Sequence, residues 1–189
     1  MKKFILFMML ICSVSYSQSE NIKARFLIAG ALDFGGDDVG YVYFTDGTTQ
    51  SINSGQGVAI SIGGELDFLK TKGLFLRGTI GYKYVTTKAE NAHIRLTRIP
   101  LELTANYNIV KRFWAGLGLT SHTGIKLNFD GLAQNEKFTS SLGTILKIGY
   151  GGLGISYTIM KYEGSYNDVY NANSFGLIFA LPIKDKSWK

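Results

Sequence analysis

The stretch TRIPLELTANYN, Thr97 to Asn108, changes polarity at almost every step. Ile99, Leu101, Leu103, Ala105 and Tyr107 fall on one face of an extended chain, and Arg98, Glu102, Thr104 and Asn106 on the other. A period of two marks a strand, because successive side chains leave opposite faces of the pleat. The same alternation recurs on both sides of this segment. It resolves the chain into eight predicted strands at 23–34, 57–68, 74–86, 97–108, 113–123, 139–150, 153–162 and 174–184. In the second, Val58, Ile60, Ile62, Leu66 and Phe68 oppose Ala59, Ser61, Gly63, Glu65 and Asp67. In the last, Phe175, Leu177, Phe179, Leu181 and Ile183 oppose Gly176, Ile178 and Ala180. Away from the strand ends, where Lys23, Lys161 and Lys184 lie, the apolar phases carry no charge, whereas the complementary phases carry Arg25, Asp33, Glu65, Asp67, Arg77, Lys83, Arg98, Glu102 and Lys147.

Composition narrows the class. Of the 189 residues, 46% are hydrophobic and only 18% charged, below the roughly 25% charge of an average soluble domain. Such a chain is too apolar for a disordered protein. Its longest apolar stretch, FILFMMLIC, falls far short of the about 20 residues of a spanning helix, which excludes a helical membrane protein. That stretch instead follows Lys2 and Lys3 and precedes Ser15-Tyr16-Ser17, the three parts of a secretory signal over 1–17 cleaved after Ser17. Cys12, the only cysteine, leaves with it, so the mature chain forms no disulfide. Ile11 stands where a lipoprotein signal needs a small residue before the cysteine. Losing Lys2 and Lys3 lowers the formal charge from +6 to +4, a scattered excess that argues against nucleic-acid binding.

Two all-β architectures share this alternation. A soluble sandwich or lipocalin-like periplasmic barrel turns its apolar face inward; a membrane barrel turns it outward to lipid and keeps a polar interior. Three features favour the second. The polar phase is rich in small residues, among them Gly63, Gly81, Gly116, Gly118 and Gly149, which suit the tight inside of a small barrel. Aromatic residues of the apolar phase gather near strand ends (Phe26, Phe34, Phe68, Tyr82, Tyr84, Tyr107, Phe113, Tyr150, Tyr157 and Phe175), as in interfacial girdles. The connections also alternate in length: 35–56, 87–96, 124–138 and 163–173 are longer than 69–73, 109–112 and 151–152. Short periplasmic turns and longer outer loops produce that rhythm. The expected fold is an eight-stranded antiparallel up-and-down transmembrane β-barrel over 18–184, with a side-chain-filled polar lumen and a polar tail, DKSWK, over 185–189.

The segment Leu96 to Leu127 resembles the outer-membrane β-barrel domain family of Gram-negative bacteria often labelled "porin family". Ile99, Pro100, Leu101, Leu103 and Tyr107, followed by a short turn and then Phe113, Trp114, Gly116 and Gly118, carry the likeness. Thr97 and Arg98 depart from it, standing where an aromatic and an acidic residue are commoner, and the polar tail departs from the usual aromatic C-terminus. The resemblance implies fold and outer-membrane location, and little about activity. Pro100 lacks an N–H and predicts a bulge.

Eight strands leave an interior filled by side chains, so no open pore is expected despite the family label. A symmetric 69–73 turn places Glu65 opposite Arg77 and Asp67 opposite Phe75. Arg25, Glu65, Arg77, Glu102 and Lys147 are expected to form one structural charge network in the lower lumen. Catalysis is not expected. A lipid-modifying rim enzyme is the alternative, with Ser121, His122 and Asp130 or Glu136 as its candidates, but Ser121 and His122 point to opposite faces. His93 and His122, the only histidines, sit on different strands or loops and suggest no zinc site, and Asp37, Asp38 and Asp46 lack the spacing of a calcium loop. No cofactor or metal is expected. Expected partners are outer-membrane lipid and a surface ligand or protein engaged by the outer loops, above all the loop with Tyr41, Tyr43 and Phe44; the chain is expected to be monomeric.

Overall fold

The computed structural model describes residues 22–43, 47–89, 92–131, 133–165 and 168–183. The predicted signal segment 1–17 and tail 185–189 lie outside the described residues, as do Phe44 and Asp46. Thirteen strands are present among the described residues, with no helix: β1 (Ile22–Phe34), β2 (Asp38–Tyr43), β3 (Thr49–Asn53), β4 (Gly57–Phe68), β5 (Leu74–Ala89), β6 (Ala92–Val110), β7 (Phe113–Asn128), β8 (Glu136–Ser140), β9 (Gly143–Tyr150), β10 (Leu153–Ile159), β11 (Lys161–Glu163), β12 (Val169–Asn171) and β13 (Ser174–Ile183). The order β1-β4-β5-β6-β7-β9-β10-β13 closes on itself, because β7 pairs with β9 and β13 returns to β1. The result is an antiparallel sheet with a ring of eight strands.

Alternation sets which residues face inward. Ile60 and Leu103 of the apolar phase are 67% and 58% exposed on the outside of the ring, whereas Glu65 and Arg98 of the other phase are 2% and 0% exposed inside it. The outward aromatics cluster at two levels. Phe34, Phe175 and Tyr157 are consecutive cross-strand partners near the long connections, and Phe113 pairs with Tyr150 beside the short turns. The inward glycines are dictated by curvature: a Cβ on Gly63 would lie 1.9 Å from the Gly78 carbonyl oxygen, and one on Gly118 2.2 Å from the Leu103 carbonyl oxygen.

Two predicted strands are each broken in two. The segment 139–150 divides into the end of β8 and β9, and 153–162 into β10 and β11. The pieces nearer the long connections leave the ring and continue the same sheet as a branch, with β8 on β7, β11 on β8 and β12 on β11. Beyond the long-connection end of the ring, these strands, the β2–β3 hairpin and the extended ends of β6 and β7 enclose a second, apolar core. Val39, Ile52, Ile94, Leu96, Ile125, Leu127, Phe138, Met160, Tyr162 and Ala172 are buried in it. It forms a cap over one end of the ring. Along β6 the inward face changes from Thr104 and Arg98 to Leu96 and Ile94, from polar wall to apolar lid, without a change of phase.

The bulge lies beside Pro100 rather than at it. Pro100 pairs directly with His122, and the register shifts between Thr97 and Ile99, where β7 carries one extra residue. Gly124, at φ +60°, takes the left-handed conformation there. The extra residue reverses the phase of β7, so that Ile125 and Leu127 turn inward after Trp114, Thr120 and His122.

Candidate functional site

Among the described residues, charged side chains converge under burial in the polar interior of the ring. Nearest the short turns, the antiparallel register sets Arg25 and Arg77 on either side of Glu65. Arg25 Nη2 donates to Glu65 Oε1 at 2.5 Å and to Asp67 Oδ2 at 2.5 Å, and Arg77 Nε donates to Glu65 Oε2 at 2.7 Å. The Arg77 guanidinium also lies 4.7 Å from the centre of the Phe75 ring and 4.9 Å from that of Trp114, in the corner formed by these two edge-to-face rings. Further up, Lys147 Nζ donates to Glu102 Oε2. The five residues expected to form one layer thus form two separate groups, because Glu102 stands opposite Thr79, the next inward position beyond Arg77 towards the cap.

A third group, directly beneath the cap, was not singled out by the sequence. Lys83 and Arg98 are cross-strand partners. Lys83 Nζ reaches Asp33 Oδ2 at 2.8 Å and donates to the Gly55 carbonyl at 2.7 Å. Arg98 donates to the Gln56 carbonyl through Nη2, while its buried Nε and Nη1 have no partner among the described residues. All three residues lie on the inward phase, so alternation marked them as lumenal; their grouping required the β5–β6 register, which the 87–96 connection does not reveal.

Above Arg98, the Tyr162 hydroxyl is hydrogen-bonded to His122 Nδ1, and Tyr162 stacks at a tilt on His122 and Phe138. Burial in the cap pushes the Tyr162 phenol from 10 up to about 12. The neutral form is the one favoured by folding. Its contribution to stability is therefore complete below pH 10 and lost as pH rises through about 12. Two pH units correspond to about 3 kcal/mol. Tyr162→Phe is expected to lack this alkaline step, so that the difference between the two proteins' pH–stability curves, measured by chemical denaturation from pH 9 upward, isolates it.

The candidate catalytic residues do not assemble. His122 is buried on the inward phase and its backbone N–H donates to Ser140 Oγ at 2.9 Å, while Ser121 Oγ lies 3.3 Å from the same Ser140 oxygen on the other side of the strand. Asp130 sits in the 129–135 connection, and Glu136 starts β8, where it stands opposite Leu127. Two of the loop carboxylates have structural partners. Asp37 Oδ2 accepts the Asn171 backbone N–H at 2.8 Å, and Asp38 accepts Asn53 Nδ2 at 2.7 Å and the Tyr41 hydroxyl at 2.9 Å, which ties the β2–β3 hairpin to β12. Among the described residues, no group of three or more His, Cys, Asp or Glu side chains is placed to hold a metal ion.

The interior encloses a cavity of about 50 Å³, lined by Asp33, Lys83, Glu102, His122 and Lys147 among others. That is room for a few waters. No protein-family model and no curated protein matches this chain.

Proposed function

We propose that this protein is a small outer-membrane β-barrel with a structural or surface-interaction role, carrying neither an open pore nor a catalytic centre. One observation carries the reading: an outward belt dominated by aliphatic and aromatic side chains surrounds an inward set of ion-paired charges. In water that arrangement exposes the large side chains and buries the charged ones, the reverse of a soluble lipocalin-like barrel, whose apolar phase fills the interior. In a bilayer each face meets its preferred surroundings: lipid outside, fixed partners inside. The two levels of outward aromatics fit the two membrane interfaces, and the secretory signal read at 1–17 supports export. The resemblance of Leu96 to Leu127 to the porin-family barrels points the same way.

The cap follows from this orientation as the surface-exposed end, with the β2–β3 hairpin and the Val169 edge of β12 as the elements available to a ligand or protein partner. The lipid-modifying alternative finds no supporting geometry in the diverging Ser121 and His122. Reconstitution into planar bilayers tests the reading. The purified protein is expected to run as a heat-modifiable band, insert, and pass no steady current. A stable open channel contradicts the closed interior, and a protein that stays soluble without detergent contradicts the barrel.

A further inference from the structure

We propose that the short-turn mouth of the ring binds a phosphate group between Arg112 and Arg77. The site lies at the opposite end from the cap, and its chemistry does not depend on which way the belt faces. The three short connections, 69–73, 109–112 and 151–152, carry four cations, Lys70, Lys72, Lys111 and Arg112, and no carboxylate. All four are exposed. Arg112 brings that charge to an open pocket of about 130 Å³, lined also by Arg25, Arg77, Asn108, Trp114 and Gly151.

The turn holds Arg112 at this pocket. Its φ of +72° is a left-handed conformation that glycine takes freely and that costs a residue with a Cβ. Its carbonyl accepts the Gly151 N–H at 2.7 Å, and Trp114 Nε1 donates to the Gly151 carbonyl at 3.0 Å. Its guanidinium lies 5.4 Å from the centre of the Tyr150 ring and has no carboxylate partner among the described residues. Arg77 uses only Nε on Glu65, and its two Nη groups, without a partner among the described residues, keep accessible surface. Arg25, Arg77 and Arg112 face only Glu65 and Asp67, which leaves the mouth positive before the three lysines are added.

Guanidinium groups match the oxygens of oxyanions. Arginines from β1, β5 and the 109–112 turn reach the pocket from three sides. That suits a tetrahedral phosphate, with oxygens in several directions, better than a planar carboxylate. Two sources offer this chemistry, free phosphate and a phospholipid headgroup. The second rests on the membrane reading, in which Tyr150 under Arg112 belongs to the outward aromatics at the interface.

Calorimetric titration of the full protein in an uncharged detergent tests the site, with inorganic phosphate and with dihexanoyl-phosphatidylglycerol as separate probes. One equivalent is expected to bind, and Arg112→Gly is expected to weaken binding at least tenfold. Glycine relieves the left-handed position, so this variant is expected to fold with a Tm at or above the native one. Lys72→Gln, which alters the rim outside the pocket lining, is expected to change affinity less than twofold. Tighter binding of the lipid assigns a headgroup phosphate and equal or weaker binding a free one; either result supports the site. Failure of both probes to saturate, unchanged binding in Arg112→Gly, or an equal loss in Lys72→Gln overturns it.

Discussion

Glu65→Ala is expected to destabilise the protein by about 3–5 kcal/mol, the range for removing one partner of a buried ion pair. Glu65 is the only carboxylate that Arg77 reaches among the described residues, and it also takes one of the two bonds of Arg25. Its loss leaves Arg77 held only by the faces of Phe75 and Trp114, and such contacts recover a fraction of the deficit, about 0.5–2 kcal/mol. Asp67 provides the internal control. It binds the same Arg25 but is 26% exposed at the mouth of the ring, so Asp67→Ala is expected to cost no more than about 1 kcal/mol. Equilibrium denaturation in detergent micelles, followed by tryptophan fluorescence from Trp114 beside Arg77, measures both. Equal effects for the two carboxylates would mean that the interior is wetter than its burial indicates.

Leu127→Ala is expected to cost about 2–5 kcal/mol, with the damage confined to the cap. Leu127 is fully buried between β6 and β8, packed with Ile125, Leu96 and Phe138. The β11 and β12 strands are three residues each, and the β2–β3 hairpin is a separate two-stranded sheet; neither has enough paired edge to persist without that core. Hydrogen exchange should therefore show early opening of 38–53 and 161–171 in the variant, while amides of β4, β10 and β13 keep native protection. Loss of protection throughout the ring would show that ring and cap fold as one cooperative unit.

The ring was legible because its strands obey one rule over many residues. The short turns fix one end of each: Gly57–Phe68 matches the expected 57–68, and Leu74, Phe113 and Leu153 begin strands where the alternation begins. The cap was not legible, for two physical reasons. Its core-facing residues, such as Ile94 and Leu96, continue the inward phase that lower down carries charge, so a rule sorting apolar from polar ends the strand at Thr97. In β7 the bulge at Gly124 then moves Ile125 and Leu127 onto the opposite parity from His122, and a strict period of two breaks at the point where the strand continues. Phe138 likewise faces inward from β8 while Gly143 and Ile145 set the opposite parity for β9, so 139–150 is two strands with a phase change at Ser141 and Leu142. Of the charges, the Glu65–Arg77 juxtaposition was readable from a five-residue turn. The Lys83–Arg98–Asp33 group was not, because β5 and β6 extend to a connection far shorter than the alternation suggests, at 90–91.

The central proposal is that the outward phase of the ring faces lipid. Single-cysteine nitroxide labels along β6, from Ile99 to Asn108, test it in liposomes. The predicted result has a period of two: labels at Ile99, Leu101, Leu103 and Ala105 collide freely with dissolved oxygen and are shielded from a water-soluble nickel chelate, while labels at Glu102, Thr104 and Asn106 are immobile and shielded from both. Ready access of the nickel chelate to Leu101 and Leu103, at the middle of the belt, would contradict it.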